Sequence, residues 1–232
     1  MSEQVGVLHP GAMGAAVGAL LRAAGLTDAG RIDALAARAS VILSVCPPHA
    51  ALDLARTVAA AGFRGVYVDA NAVSPATARR IAETLPKVVD GGIVGSPPAK
   101  AGTTRLYLSG PGADAVAALF AGTVLECRVL EGRVGAASAL KMAYAAWSKG
   151  SAALLLTARA LAEAEGVGPA LLGEWRVGGV GAQWAQAKVS AESKGWRWVG
   201  EMEEIAASMA AAGLPDGFHR AAAEVYRAYP RT

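Results

Sequence analysis

Cysteine and histidine are scarce in this chain, and long apolar runs and charge clusters are missing. Two cysteines and three histidines in 232 residues form no group with metal-ligand spacing, so no metal site is expected. Cys46 and Cys127 each sit in an apolar, strand-like run. That is the setting of buried thiols in a reducing cytoplasm, not of a disulfide framework. No run of about 18 uncharged apolar residues occurs. Lys141 and Lys149 interrupt the most hydrophobic late segment, so no membrane span is expected. The 22 basic residues face 19 acidic ones and are scattered, which leaves nucleic-acid binding without an electrostatic footprint. Residues 5–21 are largely apolar, but Glu3, the lack of a basic leader and the Pro10-Gly11 break argue against a signal peptide. No internal repeat is present.

What remains is a chain that is 53% hydrophobic and carries 28 glycines, long enough to bury a good core in one or two domains. Strand and helix signals alternate through its first half. Val5–Leu8 reads as a strand, Ala12–Ala24 as a helix ended by Gly25, Asp33–Ala39 as a short helix and Val41–Val45 as a buried strand. Pro47-Pro48 ends that strand, and a helix from about Ala50 to Ala61 follows. Val66–Asp69, Val88–Val94, Arg105–Ser109 and Glu126–Leu130 read as further strands. Helices are expected from Ser74-Pro75 to about Leu85 and over Asp114–Ala121. Ser74 serves as N-cap, with proline at the first helical position. This alternation predicts a largely parallel sheet covered on both faces.

After Gly132 the strand signals stop. Ala136–Glu165 reads as one long helix, Trp196–Ala212 as another and Pro215–Tyr229 as a last one. Gly173–Gly195 holds several glycines and few periodic apolar residues, and is expected to be rich in loops. The division is placed near 132. Residues 1–132 form an α/β nucleotide-type domain and residues 133–232 a helical domain for substrate binding and dimerisation.

Two features carry chemistry. A strand, a glycine turn and a helix start within Val5–Leu21 are the parts of a dinucleotide-phosphate cradle. The helix N-terminus there offers free N–H groups and partial positive charge to a pyrophosphate. The turn is His9-Pro10-Gly11-Ala12-Met13-Gly14, an H-x-G-x-x-G in place of the G-x-G-x-x-G fingerprint. It reads equally as an ordinary strand-to-helix turn whose glycines allow close packing. The second feature is Lys141, in the apolar helix beginning Gly135-Ala136-Ala137-Ser138-Ala139-Leu140-Lys141.

The order of these stretches resembles the 6-phosphogluconate dehydrogenase-like superfamily, close to the β-hydroxyacid dehydrogenases. It is most similar to an uncharacterised bacterial branch of NAD(P)-dependent oxidoreductases. The resemblance is carried by Gly6–Gly14, by Ala39–Pro47, by Val68-Asp69-Ala70-Asn71-Ala72-Val73-Ser74-Pro75, by Gly135–Lys141, and by Trp196–Glu204 with Gly213–His219. It implies a Rossmann-type doubly wound α/β domain, an all-helical C-terminal domain and a homodimer formed through the latter. It implies NADP or NAD as cofactor, NADP slightly favoured. His9, Pro10, Gly11, Ala12, Met13, Gly14, Cys46, Pro47, Pro48 and Asn71 would line that cofactor. Lys141 would be the acid/base, with Asn71 orienting substrate or nicotinamide. Gly95, Ser96, Tyr144 and His219 would face a small-molecule substrate.

The departures matter as much. The family's Ser-Gly-Gly substrate loop corresponds to Asp90-Gly91-Gly92-Ile93-Val94-Gly95-Ser96, without the serine in register, and its asparagine after the lysine is Tyr144. Related imine reductases enter as competitors, although they usually lack a lysine at the Lys141 position. The largest departure follows Gly25. A Rossmann half needs a second strand after the first helix, ending in a group that reads the ribose. Here Thr27-Asp28 already leads toward the next helix, and roughly 20 residues of the usual unit are missing. Asp28 and Asp33 read as capping or solvated residues.

A lysine can protonate the alkoxide left by hydride delivery, or deprotonate the alcohol in reverse, if its pKa is brought toward working pH. A lysine that snorkels at a helix edge is the bland alternative. Lys149, rotated by about 80° from Lys141, is expected to be solvated. Tyr144 lies one turn on from Lys141 and could line the pocket or the core. His9 could hold phosphate or merely tolerate the turn, and His49 could touch cofactor or lie in a surface loop. His219 with Glu201, Glu203 and Glu204 reads more readily as exposed helix polarity than as a substrate end. Trp175, Trp184, Trp196 and Trp198 are expected to anchor packing or a subunit interface. The rival from another class is a degenerate nucleotide-binding relative without catalysis.

Overall fold

A computed structural model of the chain describes residues 5–8, 11–23 and 32–231. His9, Pro10 and Asp28 lie outside the described residues. The first half contains β1 (Val5–Leu8), α1 (Ala12–Ala23), α2 (Ile32–Arg38), β2 (Val41–Ser44), α3 (Ala51–Ala60), β3 (Val66–Asp69) and α4 (Pro75–Ala82). It continues through β4 (Val88–Gly95), β5 (Thr104–Ser109), α5 (Ala113–Ala118) and β6 (Glu126–Val129). A 3-10 turn at Pro48–Ala50 leads into α3. Ser74 caps α4 as its sequence position requires: its side chain accepts the Thr77 N–H at 3.2 Å.

The six strands lie in chain order, β1-β2-β3-β4-β5-β6. Every pairing is parallel except the β4–β5 hairpin. Val5 therefore pairs directly with Val41, and among the described residues no strand lies outside β1. Alternation of side chains across the pleat builds two cores. Val7, Leu43, Val68, Val89 and Leu106 face one side, with Val17 and Leu21 of α1 and Val116 of α5. Leu8, Ile42, Tyr67 and Val88 face the other, with Leu35 of α2, Leu54 and Val58 of α3 and Ile81 of α4. The Rossmann-type sheet expected from the sequence is present, without its second strand among the described residues.

The helical half contains α6 (Ala136–Ala164), α7 (Gly168–Val177), α8 (Gly181–Ala211) and α9 (Gly217–Arg227). The chain divides into two compact units, Met1–Met142 and Ala143–Thr232. The division falls later than the change of composition near Gly132 because the first turns of α6 are hydrogen-bonded to β4 and β5 (below).

The segment 173–195, expected to be loop-rich, is almost wholly helical. Only Gly178-Gly179-Val180 interrupts it, with Gly179 in the left-handed region at φ +73°. Gly195 lies mid-helix because a Cβ there would come within 2.9 Å of the Tyr229 side chain. It marks a close helix contact, not a break. In this unit Trp198 packs edge-on to Tyr226 at 5.0 Å, and the Tyr226 hydroxyl donates to the Lys149 carbonyl at 2.6 Å. Lys149 itself is not solvated. Its ammonium pairs with Glu201, with only 15% and 14% of the two side chains exposed, and lies 5.4 Å from the Trp198 ring centre. Sequence spacing gave its helix face but not the partner on α8.

Candidate active site

In parallel sheets ligands bind beyond the carboxyl ends of the strands, where neighbouring connections leave for opposite faces. Here that point lies between β1 and β2. The chain leaving β1 enters α1 on one face, and the chain leaving β2 enters α3 on the other. Gly11, Ala12, Met13 and Gly14 follow β1 and open α1, with the Ala15 N–H bonded to the Gly11 carbonyl at 2.8 Å. Gly11 and Ala12 are exposed and Gly14 is buried. Cys46, Pro47 and Pro48 follow β2, and Asn71 follows β3. The described residues expected at a cofactor thus fall at the carboxyl ends of three adjacent strands. Among the described residues no strand lies beyond β1, where a Rossmann half carries its ribose-reading group.

Asn71 is a strut across those strand ends. It is 2% exposed. Its Nδ2 donates to Ser44 Oγ at 3.0 Å and to Asp69 Oδ1, and its Oδ1 accepts the Cys46 N–H at 2.6 Å. Both amide hydrogens are committed, so Asn71 acts by setting the β2 and β3 loops. Beside it, burial pushes the Cys46 thiol up to about 11, with the Asp69 carboxylate adding to the effect and the Ser44 hydroxyl opposing it. Burial, and then Asp69, also holds the Tyr67 phenol well above its ordinary range. Cys46 is a protonated thiol and is not in a disulfide.

The second cluster was not legible as a site. Asp90 of β4 is fully buried. Its Oδ2 accepts the Ser109 hydroxyl at 2.9 Å and the Gly135 and Ser138 N–H groups at 2.9 and 3.0 Å. Its Oδ1 accepts the Ser138 hydroxyl at 2.6 Å. Ser109 Oγ in turn accepts the Ala137 N–H at 3.0 Å. A buried carboxylate needs such donors to offset its lost hydration, and the positive end of a long helix is a favourable place for it. The start of α6 is thereby bound to the sheet. The one sequence signal was a charge inside an apolar strand, Val88-Val89-Asp90-Gly91-Gly92-Ile93.

Lys141 lies less than one turn after Ser138. It is partly buried, and its Nζ donates to the Ile93 carbonyl at 2.8 Å. Gly92 lies beneath it: a Cβ there would come within 2.7 Å of the Ala137 carbonyl oxygen and 3.0 Å of Lys141 Cβ. The glycine pair at 91–92 therefore permits close packing of β4 against β3 and the start of α6. Gly95 adopts φ +119° where the strand turns into the hairpin loop. Ser96 is exposed in that loop, and its carbonyl accepts the Thr104 hydroxyl at 2.5 Å.

Of the remaining expected residues, Tyr144 is 42% exposed and stacks edge-on with Trp147. His219 is not exposed helix polarity. It is 7% exposed, with Nε2 3.4 Å from the Ala146 carbonyl and its ring against Gly150. Among the described residues no group of three or more His, Cys, Asp or Glu could hold a metal ion. No described helix is long and apolar enough to cross a membrane.

Comparison with known proteins fits this architecture. Residues 162–229 match a domain of unknown function, DUF1932. An uncharacterised 28.5 kDa protein from Methanothermus fervidus is 34% identical over 125 residues, 53% of this chain and 47% of that protein. The chain therefore spans about half the length of that curated relative. Among solved structures, a conserved protein of unknown function described as similar to 3-hydroxyacid dehydrogenases is 26% identical, with a TM-score of 0.67 and 97% of each chain covered. A 3-hydroxyisobutyrate dehydrogenase from Salmonella typhimurium shares the fold at 16% identity and a TM-score of 0.74, covering 98% of this chain and 94% of that one. A reductive aminase from Aspergillus terreus, solved with NADPH and ethyl levulinate, does so at 19% and 0.59, covering 99% and 100%. Over nearly its whole length this chain has the fold of the β-hydroxyacid dehydrogenase superfamily, as its sequence motifs implied, with the DUF1932 segment as its C-terminal helices.

Proposed function

We propose that this protein is an NAD(P)-dependent oxidoreductase acting on a small hydroxy acid or a related polar alcohol or ketone, with Lys141 as its acid/base. One observation carries the reading. The Lys141 amine is held at the end of β4, on the same carboxyl edge of the sheet as the glycine turn. Gly11–Gly14 would hold the cofactor's phosphates through backbone N–H groups at the start of α1, and the loops after β2 and β3 would flank the nicotinamide. When bound, that cofactor supplies or accepts the hydride. The chain's own part is at the proton. Lys141 gives a proton to the nascent alkoxide, or takes one from the alcohol in reverse. Ile93 fixes its amine through the backbone carbonyl.

The relatives support a preference for NADP, and the lysine favours carbonyl over imine chemistry. Residues 1–132 would serve the nucleotide and 133–232 the substrate and a homodimer, in the cytoplasm. Tyr144, Trp147, Leu154 and Leu161 leave apolar surface exposed on α6, a face a second copy would cover.

Calorimetric titration with NADPH and NADH in parallel comes first, followed by a screen of 3-hydroxy acids, ketones and imines. Saturable binding is expected, and Lys141→Met should keep that binding while abolishing turnover. A folded sample that binds neither nucleotide refutes the oxidoreductase reading and leaves the degenerate relative.

A further inference from the structure

We propose that Asp90 is the positioning residue for Lys141: through Ser138 and the first N–H groups of α6, it sets where on β4 the lysine stands. The inference rests on the proposed role of Lys141, but its geometry does not. Strand β4 touches the start of α6 at three successive places. Asp90 takes the Gly135 and Ser138 N–H groups and the Ser138 hydroxyl. Gly92 lies under Ala137 and Lys141. Ile93 receives Lys141 Nζ. Ser138 and Lys141 are three apart and share a helix face, so a hydroxyl held at one fixes the rotation of the other. Ser109 adds a second tie by linking the same carboxylate to the Ala137 N–H.

The arrangement is charge-assisted throughout, with the acceptor fully buried and all four donors within 3.0 Å. Such bonds are short and hold geometry more firmly than neutral ones. An asparagine in place of Asp90 keeps the shape but offers two donors where donors already converge. The helix start must then turn or lift, and Lys141 moves with it. A displacement of about 1 Å at a catalytic group costs on the order of 100-fold in rate.

The test reads the lysine directly and needs no cofactor or substrate. The full chain is reductively methylated with 13C-formaldehyde, and the Lys141 resonance is assigned by its loss in Lys141→Arg. In Asp90→Asn and in Ser138→Ala that resonance should move toward those of exposed Lys100 and Lys188, further for Asp90→Asn. Val116→Ala, which removes core volume on the opposite face of the sheet, should lower the melting temperature without moving it. If Asp90→Asn does not fold, Ser138→Ala decides alone. An unmoved resonance in the folded variants overturns the proposal, as does an equal shift in Val116→Ala. Because the readout is independent of turnover, a failure here is distinct from a failure of the oxidoreductase reading, which nucleotide titration judges separately.

Discussion

Replacing Gly92 by alanine adds one methyl group at the most crowded point between β4 and α6. The new Cβ would lie 2.7 Å from the Ala137 carbonyl oxygen, 3.3 Å from its carbon and 3.0 Å from Lys141 Cβ. The nearest atoms are helix backbone, so no side chain can swing aside. Ordinary contact would require the start of α6 to retreat by roughly 0.7 Å. A retreat of that size stretches bonds to Asp90 now at 2.9–3.0 Å past hydrogen-bonding range. Overpacking of this kind costs about 1–3 kcal/mol, and weakening a bond to a buried charge adds roughly 1.5 kcal/mol or more. We expect Gly92→Ala to lose about 2.5–4.5 kcal/mol, at about 2–4 °C of Tm for each kcal/mol in a chain of this size. Thermal and urea unfolding measure it. Gly217→Ala is the comparison: nothing lies within 4 Å of a Cβ there, and the change should be neutral or stabilising by up to about 1 kcal/mol. A Gly92→Ala protein within about 0.5 kcal/mol of the parent would refute the tight β4–α6 contact and the placement of Lys141 built on it.

Four further outcomes are expected. Cys46 is held at about 11 and Cys127 at about 12, both by burial, so alkylation at pH 8 should run at least about 100-fold slower than for an exposed thiol. The same shifts stabilise the fold below the unfolded thiol pKa and are lost as pH rises through the folded values. Tm should therefore fall between about pH 9 and 12, less steeply in Cys46→Ser/Cys127→Ser. Glu201→Gln strands a buried ammonium and should cost about 3 kcal/mol, whereas Lys149→Met/Glu201→Leu should recover most of it; additive losses would refute the pairing. Asn71→Ala leaves the Cys46 N–H and the Ser44 hydroxyl short of partners and should cost about 1–3 kcal/mol in chemical denaturation. A change within error would show that the β2 and β3 loops hold without it.

The strands of the first half were legible because apolar runs as short as Val66–Asp69 end at turn signals, and α4 because Ser74-Pro75 announces its start. Their pairing was not. That β1 pairs directly with β2 is a tertiary fact that motif order does not state. Gly173, Gly181 and Gly195 hid α7 and the first half of α8, because glycine reads as a break even where it makes room, as Gly195 does for Tyr229. Lys141 was found through its motif. Asp90 was not, because its partners are Ser109 and the turn before Ser138, far along the chain. The burial of Lys149 is illegible for the same reason, since its partner Glu201 lies on α8.

A sheet whose strands lie in chain order has a consequence for how it assembles and opens. Val41 pairs with Val66, Tyr67 with Val88, Asp90 with Ser109 and Arg105 with Glu126, so each new strand closes a short loop onto the one before it. Such a topology folds outward from the β4–β5 hairpin with little loop-closure cost at any step. Val5 reaches across the longest interval, to Val41, and among the described strands β1 pairs with β2 alone. It should be the last strand added, and as a sheet edge it should exchange its amide hydrogens sooner than β2, β3 or β4. The edge strand that leads into the glycine turn is thus open to exchange, and a nucleotide captured there would slow that exchange.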